Sequence, residues 1–243
     1  MADAPLERLF ELWVFLRVSP LWWLTVTVVA WVLAQALAER TGRHPLVNPV
    51  LIAMLMVGLL VIATHTPYAT YFAGAQFVHF LLGPATVAIA VPLFRHAALV
   101  RQNALAIGIA LLAGSLVAVA SAIGIGAALG LPSEILLALA PKSVTAAVAM
   151  GITEQLGGDP ALTAVLVITT GIVGAVVVTP LMNALRVRDY AARGFAVGLA
   201  AHGIGTARAF TVNPVAGAFA GLAMGLNAVL TALLVPLFLP WLR

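Results

Sequence analysis

The stretch ALAIGIALLAGSLVAVASAIGIGAALGL, from Ala104 to Leu131, contains no charged residue and decides the fold class. A helix of this length, rising about 1.5 Å per residue, is long enough to cross a hydrocarbon core of about 30 Å. Comparable apolar stretches lie at Leu21–Ala38, Pro49–Thr64, Ala161–Leu181 and Val215–Leu239. The sequence therefore predicts an all-α polytopic membrane protein.

The composition of the whole chain agrees with this class. Of the 243 residues, 63% are hydrophobic and 8% are charged, whereas a soluble domain carries about 25% charged residues. The net charge of +4 comes largely from arginines in short connections, without the clustered basic face of a nucleic-acid-binding protein. The chain lacks cysteine and the common hydrolase and nucleotide-binding motifs. We expect the protein to have no enzymatic activity, to bind no metal and no other cofactor, and to have no nucleic-acid partner.

Two regions of the chain differ in residue type. Residues 1–96 are the more aromatic and include Trp22 and Trp23, which are typical of anchors at a membrane interface. Residues 97–243 are richer in small residues, which let helices approach closely in lipid. We predict N-terminal helices with a scaffold or oligomerisation role in 1–96 and a transport core in 97–243, within one integral membrane unit.

Three short basic connections, Glu39–Arg43, Arg95–Arg101 and Arg186–Arg193, indicate the orientation. Short cytoplasmic loops gather Arg and Lys, so we place all three on the inside. Ala104–Leu131 then runs outward and Ala161–Leu181 returns inward. The segment between these two helices must begin and end outside.

That segment, Ser133–Gly157, is too short for two crossings and too apolar for a surface loop. It predicts a re-entrant hairpin with its tip at Pro141–Ser143, where the missing N–H of Pro141 suits the start of a half-helix. By the same reasoning, Gly194–Pro214 enters from the cytoplasmic side and breaks at His202–Gly205. The two predicted hairpins enter from opposite faces of the membrane.

Both tips read A-x-x-x-x-T-A, at Ala140–Ala146 and Ala201–Ala207. Oppositely oriented units of helix and hairpin are typical of inverted-repeat transporters, whose site lies near the membrane midplane. We predict about six to eight membrane segments with two such hairpins, and a further break at Pro84. The alternative is that each broken segment crosses the membrane fully as an interrupted helix.

The two tips carry the residues suited to chemistry at membrane depth. The start of a half-helix attracts anions through its free N–H groups and its dipole. The candidate binding residues are Lys142, Ser143, Thr145, His202, Gly203, Gly205, Thr206 and Arg208. Lys142 is the only lysine in the chain. We predict a small anion, most simply a carboxylate, neutralised by Lys142 and Arg208 and bound by the hydroxyls, with His202 positioning it or carrying a proton.

Each of these residues has a plainer alternative. Lys142 reaches the outer interface if its hairpin is shallow, because long basic side chains extend towards water. Arg208 is equally a cytoplasmic loop residue, and His202 a packing histidine. Since no acidic residue lies in the second predicted hairpin, coupling through His202, through sodium, or no coupling at all remains open.

Several stretches resemble one known family. APKSVTAAVAMGI (Ala140–Ile152), GGDPALTAVLVITTGIVGA (Gly157–Ala175) and GLAAHGIGTARA (Gly198–Ala209) are similar to LrgB/CidB sequences, as is LLGPATVAIAVPLF (Leu81–Phe94). The resemblance covers about residues 45–240. This chain departs from the family pattern at Ala146 and Ala147, where relatives often have Thr-Pro, and at Ala201, where they often have Ser. It also has Thr211 and Pro214 where relatives often have acids after the second tip.

The resemblance implies a multi-pass protein of the bacterial inner membrane and two competing functions. One is transport of small monocarboxylates such as glycolate, glycerate or pyruvate, as in the related plastid glycolate/glycerate translocator. The other is antiholin-like or holin-like control of murein hydrolase activity and lysis, with a small LrgA/CidA-type membrane partner. Since tips that attract anions suit transport, we predict a monocarboxylate transporter that works by alternating access. We also expect contact with membrane lipid and a homodimer.

Overall fold

The computed structural model describes residues 19–42, 44, 47–81, 84, 88, 90–238 and 240. These residues form helices joined by short turns, with no strand in the described part, so the predicted all-α class is confirmed. The chain divides into two compact units, Met1–Val87 and Ala88–Arg243. The predicted break at Pro84 falls in a segment whose neighbouring residues lie largely outside the described ranges.

The first unit contains α1 (Pro20–Arg40), α2 (Pro49–Ala63) and α3 (Tyr68–Phe80). Helix α1 packs against both of the others. Its Trp23 side chain is fully buried and meets the ring of Tyr71 edge to face, with 5.8 Å between ring centroids. Trp23 thus joins α1 to α3 by packing, rather than presenting its ring at the surface as an interfacial anchor would.

The second unit carries the predicted tips. Its helices are α4 (Ala90–Arg95), α5 (Ala97–Gln102), α6 (Ala104–Ala128), α7 (Ser133–Leu139), α8 (Ala146–Gln155), α9 (Pro160–Ala184), α10 (Tyr190–Val212) and α11 (Pro214–Leu234), and Val235–Phe238 extends α11 as a 3-10 turn.

Among the described residues, four helices are long and apolar enough to cross a membrane: α1, α6, α9, and α11 with its extension. They coincide with four of the five predicted apolar stretches. The fifth forms α2, a shorter apolar helix. The starts of α9 and α11 follow a common rule, because each has proline in its first turn and a capping side chain before it. Asp159 caps α9 and Asn213 caps α11.

Helix α10 is broken at Ala201 and His202, whose backbone angles are not helical. In its first half, residues 190–200, Gly194 lies against Ala216 at the start of α11. One turn later, Gly198 lies against Ala220. Because the contacts advance in the same direction along both helices, this half runs parallel to α11.

The second half of α10, residues 203–212, runs the other way. Thr206 Oγ1 lies 3.9 Å from the sulfur of Met224. One turn further on, Phe210 packs against Gly217, which is nearer the start of α11. The contacts now recede along α11 as α10 advances, so the chain reverses at the break. We call residues 190–212 the second hairpin.

Helices α7 and α8 are separated by turn residues 140–145 and also reverse the chain. Leu136 in α7 lies against Gly126 near the end of α6. In the other arm, the Thr153 hydroxyl accepts a hydrogen bond of 2.9 Å from Thr163 near the start of α9. The base is closed where Gly158 approaches Leu137. We call residues 133–155 the first hairpin.

The two hairpins lie along opposite halves of α11. Val235, at the C-terminal end of α11, shares a hydrophobic cluster with Leu136 and Ile152 of the first hairpin. Phe219, in the N-terminal half of α11, packs with Phe195 of the second hairpin. The two tips therefore come together near the middle of α11.

Candidate functional site

A cavity of about 510 Å³ lies beside the tip of the first hairpin. Its lining residues come from α6, α9, α10 and that tip, and they include Lys142, Ser143, Thr169, Thr170, Gly114, Leu199 and Ala200. The Lys142 ammonium donates a hydrogen bond of 3.3 Å to the Ser143 hydroxyl. None of the described residues that line this cavity is acidic, so a cation faces a space edged by hydroxyl and apolar groups. We call this space the lysine cavity.

The local backbone explains how Lys142 reaches the cavity. Residues 140–144 form turns rather than helix, and Pro141 is buried there. The prediction that Pro141 starts a half-helix is wrong, because α8 begins five residues later at Ala146. Thr145 precedes α8 in an extended conformation, and its hydroxyl makes no capping hydrogen bond. Since the first N–H groups of a helix lack partners inside it, the start of α8 adds positive potential beside Lys142.

The second tip is built around His202. Its backbone has φ 42° and ψ −133°, a conformation that favours glycine. The side chain is buried, and Nε2 lies 2.9 Å from the carbonyl oxygen of Val167 in α9. A carbonyl only accepts hydrogen bonds, so Nε2 carries the proton and donates it. The ring rests against Gly171, which leaves room for it.

The remaining residues of the second tip bind to one another rather than facing the lysine cavity. The Thr206 hydroxyl donates a hydrogen bond of 2.7 Å to the carbonyl oxygen of His202 and is buried. Gly205 lets the two halves of α10 approach, since a Cβ there would lie 2.8 Å from a Val197 methyl. Gly203 lies close to Met224. His202 is not among the residues that line the lysine cavity, but its ring rests on Gly171, next to the lining residue Thr170.

Arg208 lies elsewhere in the unit. It lines a separate, small cavity of about 30 Å³ together with Arg193 and Tyr190, near the base of the second hairpin. It is not among the residues that line the lysine cavity. The structure therefore places Lys142 and Ser143 on the lysine cavity, His202 behind the wall that Gly171 forms, and Arg208 on a different cavity.

Asn227 was not predicted, although it connects the two tips. Its side chain is buried in α11, and Nδ2 donates hydrogen bonds to the carbonyl oxygens of Ser143 (3.3 Å) and Leu199 (3.0 Å). Oδ1 accepts hydrogen bonds from the hydroxyls of Ser115 (2.6 Å) and Thr231 (3.1 Å). An amide in the middle of an apolar helix is the sequence signal that would have revealed it.

We expect His202→Ala to destabilise the protein more than His202→Gly, by about 1 kcal/mol. Both substitutions remove the hydrogen bond to Val167, but only glycine adopts a positive φ without strain. The comparison of thermal unfolding temperatures in detergent measures the difference. Equal destabilisation by the two substitutions would contradict the strained backbone at this position.

Comparison with known proteins places the chain in a family. A model of the LrgB-like family matches residues 27–241. This chain belongs to that family. No solved structure matches it significantly.

Two relatives align with this chain over nearly their whole length. The uncharacterized protein YwbG of Bacillus subtilis (strain 168) is 34% identical over 220 residues, which cover 90% of this chain and 97% of that protein. The holin-like protein CidB of Staphylococcus aureus (strain Mu50 / ATCC 700699) is 29% identical over 222 residues, covering 91% and 96%. With its long apolar helices, this LrgB-family chain is a multi-pass bacterial membrane protein, as predicted.

Proposed function

We propose that this LrgB-family protein transports a small monocarboxylate anion across the membrane by alternating access. The observation that carries the proposal is Lys142, a half-buried cation beside Ser143 in a cavity without an acidic lining residue among those described. A charge held away from water requires an opposite charge or a dense set of hydrogen bonds. A carboxylate supplies that charge, and the hydroxyls of Thr169 and Thr170 offer hydrogen bonds to a 2-hydroxy or 2-oxo group.

The path of the two hairpins supports an inverted-repeat topology. They lie along opposite halves of α11, and both tips approach Asn227. Asn227 is the fourteenth residue of α11, about 20 Å from its start at 1.5 Å per residue. In our proposal both hairpins are re-entrant, enter from opposite faces and place Lys142 near the midplane, where transporters of this design bind their substrates.

The size of the lysine cavity suits a small substrate that retains some water. Ligand cavities are commonly about 300–1,000 Å³, and this one has a volume of about 510 Å³. Glycolate, glycerate and pyruvate each combine one carboxylate with an oxygen on the neighbouring carbon. These three anions form the substrate class that we propose.

We expect purified protein in liposomes to take up radiolabelled glycolate, glycerate or pyruvate with saturable kinetics. An unlabelled member of the three should compete with the labelled one, whereas a neutral analogue such as glycerol should not. Empty liposomes and heat-denatured protein serve as controls. Failure of all three substrates to enter above the level of empty liposomes would contradict transport by this chain alone.

A second candidate function is holin-like control of lysis. The names of the CidB relatives favour it more directly than they favour transport. In this case the protein would act with a small membrane partner of the LrgA/CidA type and would modulate murein hydrolase activity. It predicts non-saturable leakage of unrelated solutes such as calcein from liposomes that contain both proteins. Selective, saturable uptake without calcein leakage would argue against it.

A further inference from the structure

A second cavity, of about 420 Å³, lies between α6 and the first half of α10. At one end it is lined by Asn103 and Asp189, which precede α6 and α10. Its body is lined by apolar side chains that include Ala110 and Phe219. Along α6 it extends from Asn103 to Gly114, about 16 Å at 1.5 Å per residue. We call it the entrance cavity.

The entrance cavity and the lysine cavity meet at two residues. Gly114 of α6 and Leu199 of α10 line both of them. A Cβ atom at Gly114 would lie 2.8 Å from Leu199 Cδ1. The leucine methyl therefore rests on the α6 backbone where the two cavities share their lining.

The backbone of Leu199 is held in place from α11. Asn227 Nδ2 donates to the Leu199 carbonyl oxygen and also to that of Ser143, next to Lys142. The Asn227 amide thus fixes the leucine relative to the lysine tip. Because its Oδ1 accepts a hydrogen bond from Ser115 on α6, the same side chain also binds α6 next to Gly114, against which Leu199 rests.

We infer that Leu199 is the gate between the entrance cavity and the lysine cavity, and that Asn227 is the positioning residue that holds this gate closed. This inference rests on the proposed transport function, since it gives the substrate a path to Lys142. Opening requires the Leu199 side chain to leave the surface of Gly114.

The side of the lysine tip that faces α8 is packed. A buried cluster that includes Val119, Val144 and Ile152 fills that side. In our inference the substrate path runs through the entrance cavity towards the membrane face at its Asn103 and Asp189 end. The positive-inside rule assigns the Asn103 and Asp189 end to the cytoplasm.

The absence of cysteine from the chain allows a direct test. Single cysteines are introduced at Ala110, in the entrance cavity, and at Thr170, in the lysine cavity. Their reaction with a charged, membrane-impermeant methanethiosulfonate reagent is followed from each side of oriented vesicles. We expect the cysteine at 110 to react from the cytoplasmic side and the cysteine at 170 to react slowly.

Adding Leu199→Ala should accelerate modification at position 170 from the cytoplasmic side by about tenfold, equivalent to about 1.4 kcal/mol in the opening equilibrium. Leu199→Met keeps the bulk and should leave the rate unchanged. Gly114→Leu should slow modification of the cysteine at 170 below the rate seen without this substitution. Gly108→Leu is its matched control, since a Cβ at Gly108 of the same helix meets nothing within 4 Å.

The role of Asn227 is tested in the same vesicles. Asn227→Leu removes the hydrogen bonds at similar volume and should accelerate modification at position 170, whereas Asn227→Gln retains an amide and should restore part of the slow rate. Elution as a single peak in detergent shows which variants fold. A structural role without gating would change the unfolding temperature in both variants but leave the modification rate unchanged.

Three outcomes would overturn the gate. The first is that the cysteine at 110 reacts from neither side, which would make the entrance cavity a lipid-facing groove. The second is that this cysteine reacts only from the outside. The third is that Leu199→Ala leaves the modification rate at 170 unchanged. None of these measurements needs a substrate, so a working gate in a protein that transports no monocarboxylate would contradict the proposed substrate and leave the gate intact.

Discussion

Lys142→Gln is expected to reduce the initial rate of monocarboxylate uptake by about 100-fold or more. The bound carboxylate would lose its counter-charge, and leaving a buried charge without its partner costs about 3–5 kcal/mol. The protein itself should still fold, because the substitution removes a charge from a half-buried position rather than adding one. Uptake into liposomes at matched protein density, with elution as a single peak in detergent, measures both effects.

Two further variants define the cause of the lost uptake. Lys142→Arg keeps the charge but changes its shape, so it should retain part of the activity. Arg101→Gln removes a cation from the exposed end of α5 and should leave uptake unaltered. If the Lys142→Gln variant transports as fast as the unmodified protein, the protein is still a transporter but its binding site lies elsewhere.

Gly198→Ala is expected to destabilise the protein by about 3 kcal/mol. A Cβ atom at Gly198 would overlap the backbone of Ala220, including its carbonyl oxygen. Backbone atoms cannot rotate away as a side chain can, so the two helices must separate. Since close approach of small residues is the main source of helix association in lipid, the second hairpin should detach from α11.

The control is Gly225→Ala in α11, where a Cβ meets nothing within 4 Å. Alanine also forms helix more readily than glycine, so this variant should be as stable as the unmodified protein or slightly more. Thermal unfolding in detergent, followed by loss of the single elution peak, compares the two. Equal stability of Gly198→Ala and Gly225→Ala would show that the tight helix contact is absent in the folded protein.

The positions of the long helices were predictable from hydropathy because a helix in lipid must be apolar over its whole length. The break at Pro141–Ser143 was also visible, since proline and a lone cation interrupt an apolar run. The end of α6 was less well predicted. The apolar stretch continues to Leu131, but the helix ends at Ala128 because Gly130 adopts a positive φ of 72°.

The partners of individual side chains were harder to predict. Arg208 lies six residues after His202, about 9 Å along a helix, and this distance carries it away from the tip towards the base. A motif places residues in sequence but does not say which cavity each faces. Asn227 belongs to no motif, and its role depends on three other segments that only the folded chain brings to it.

The backbone contacts of Gly194 and Gly198 with α11 have a mechanical consequence. Neither helix can slide past the other without forcing main-chain atoms together, so the second hairpin and α11 move as one piece. The hairpin meets α6 and α9 differently, through the side chains of Leu199 and His202. Side chains change rotamer, so we expect any movement of the second hairpin and α11 against α6 and α9 to take place at these contacts.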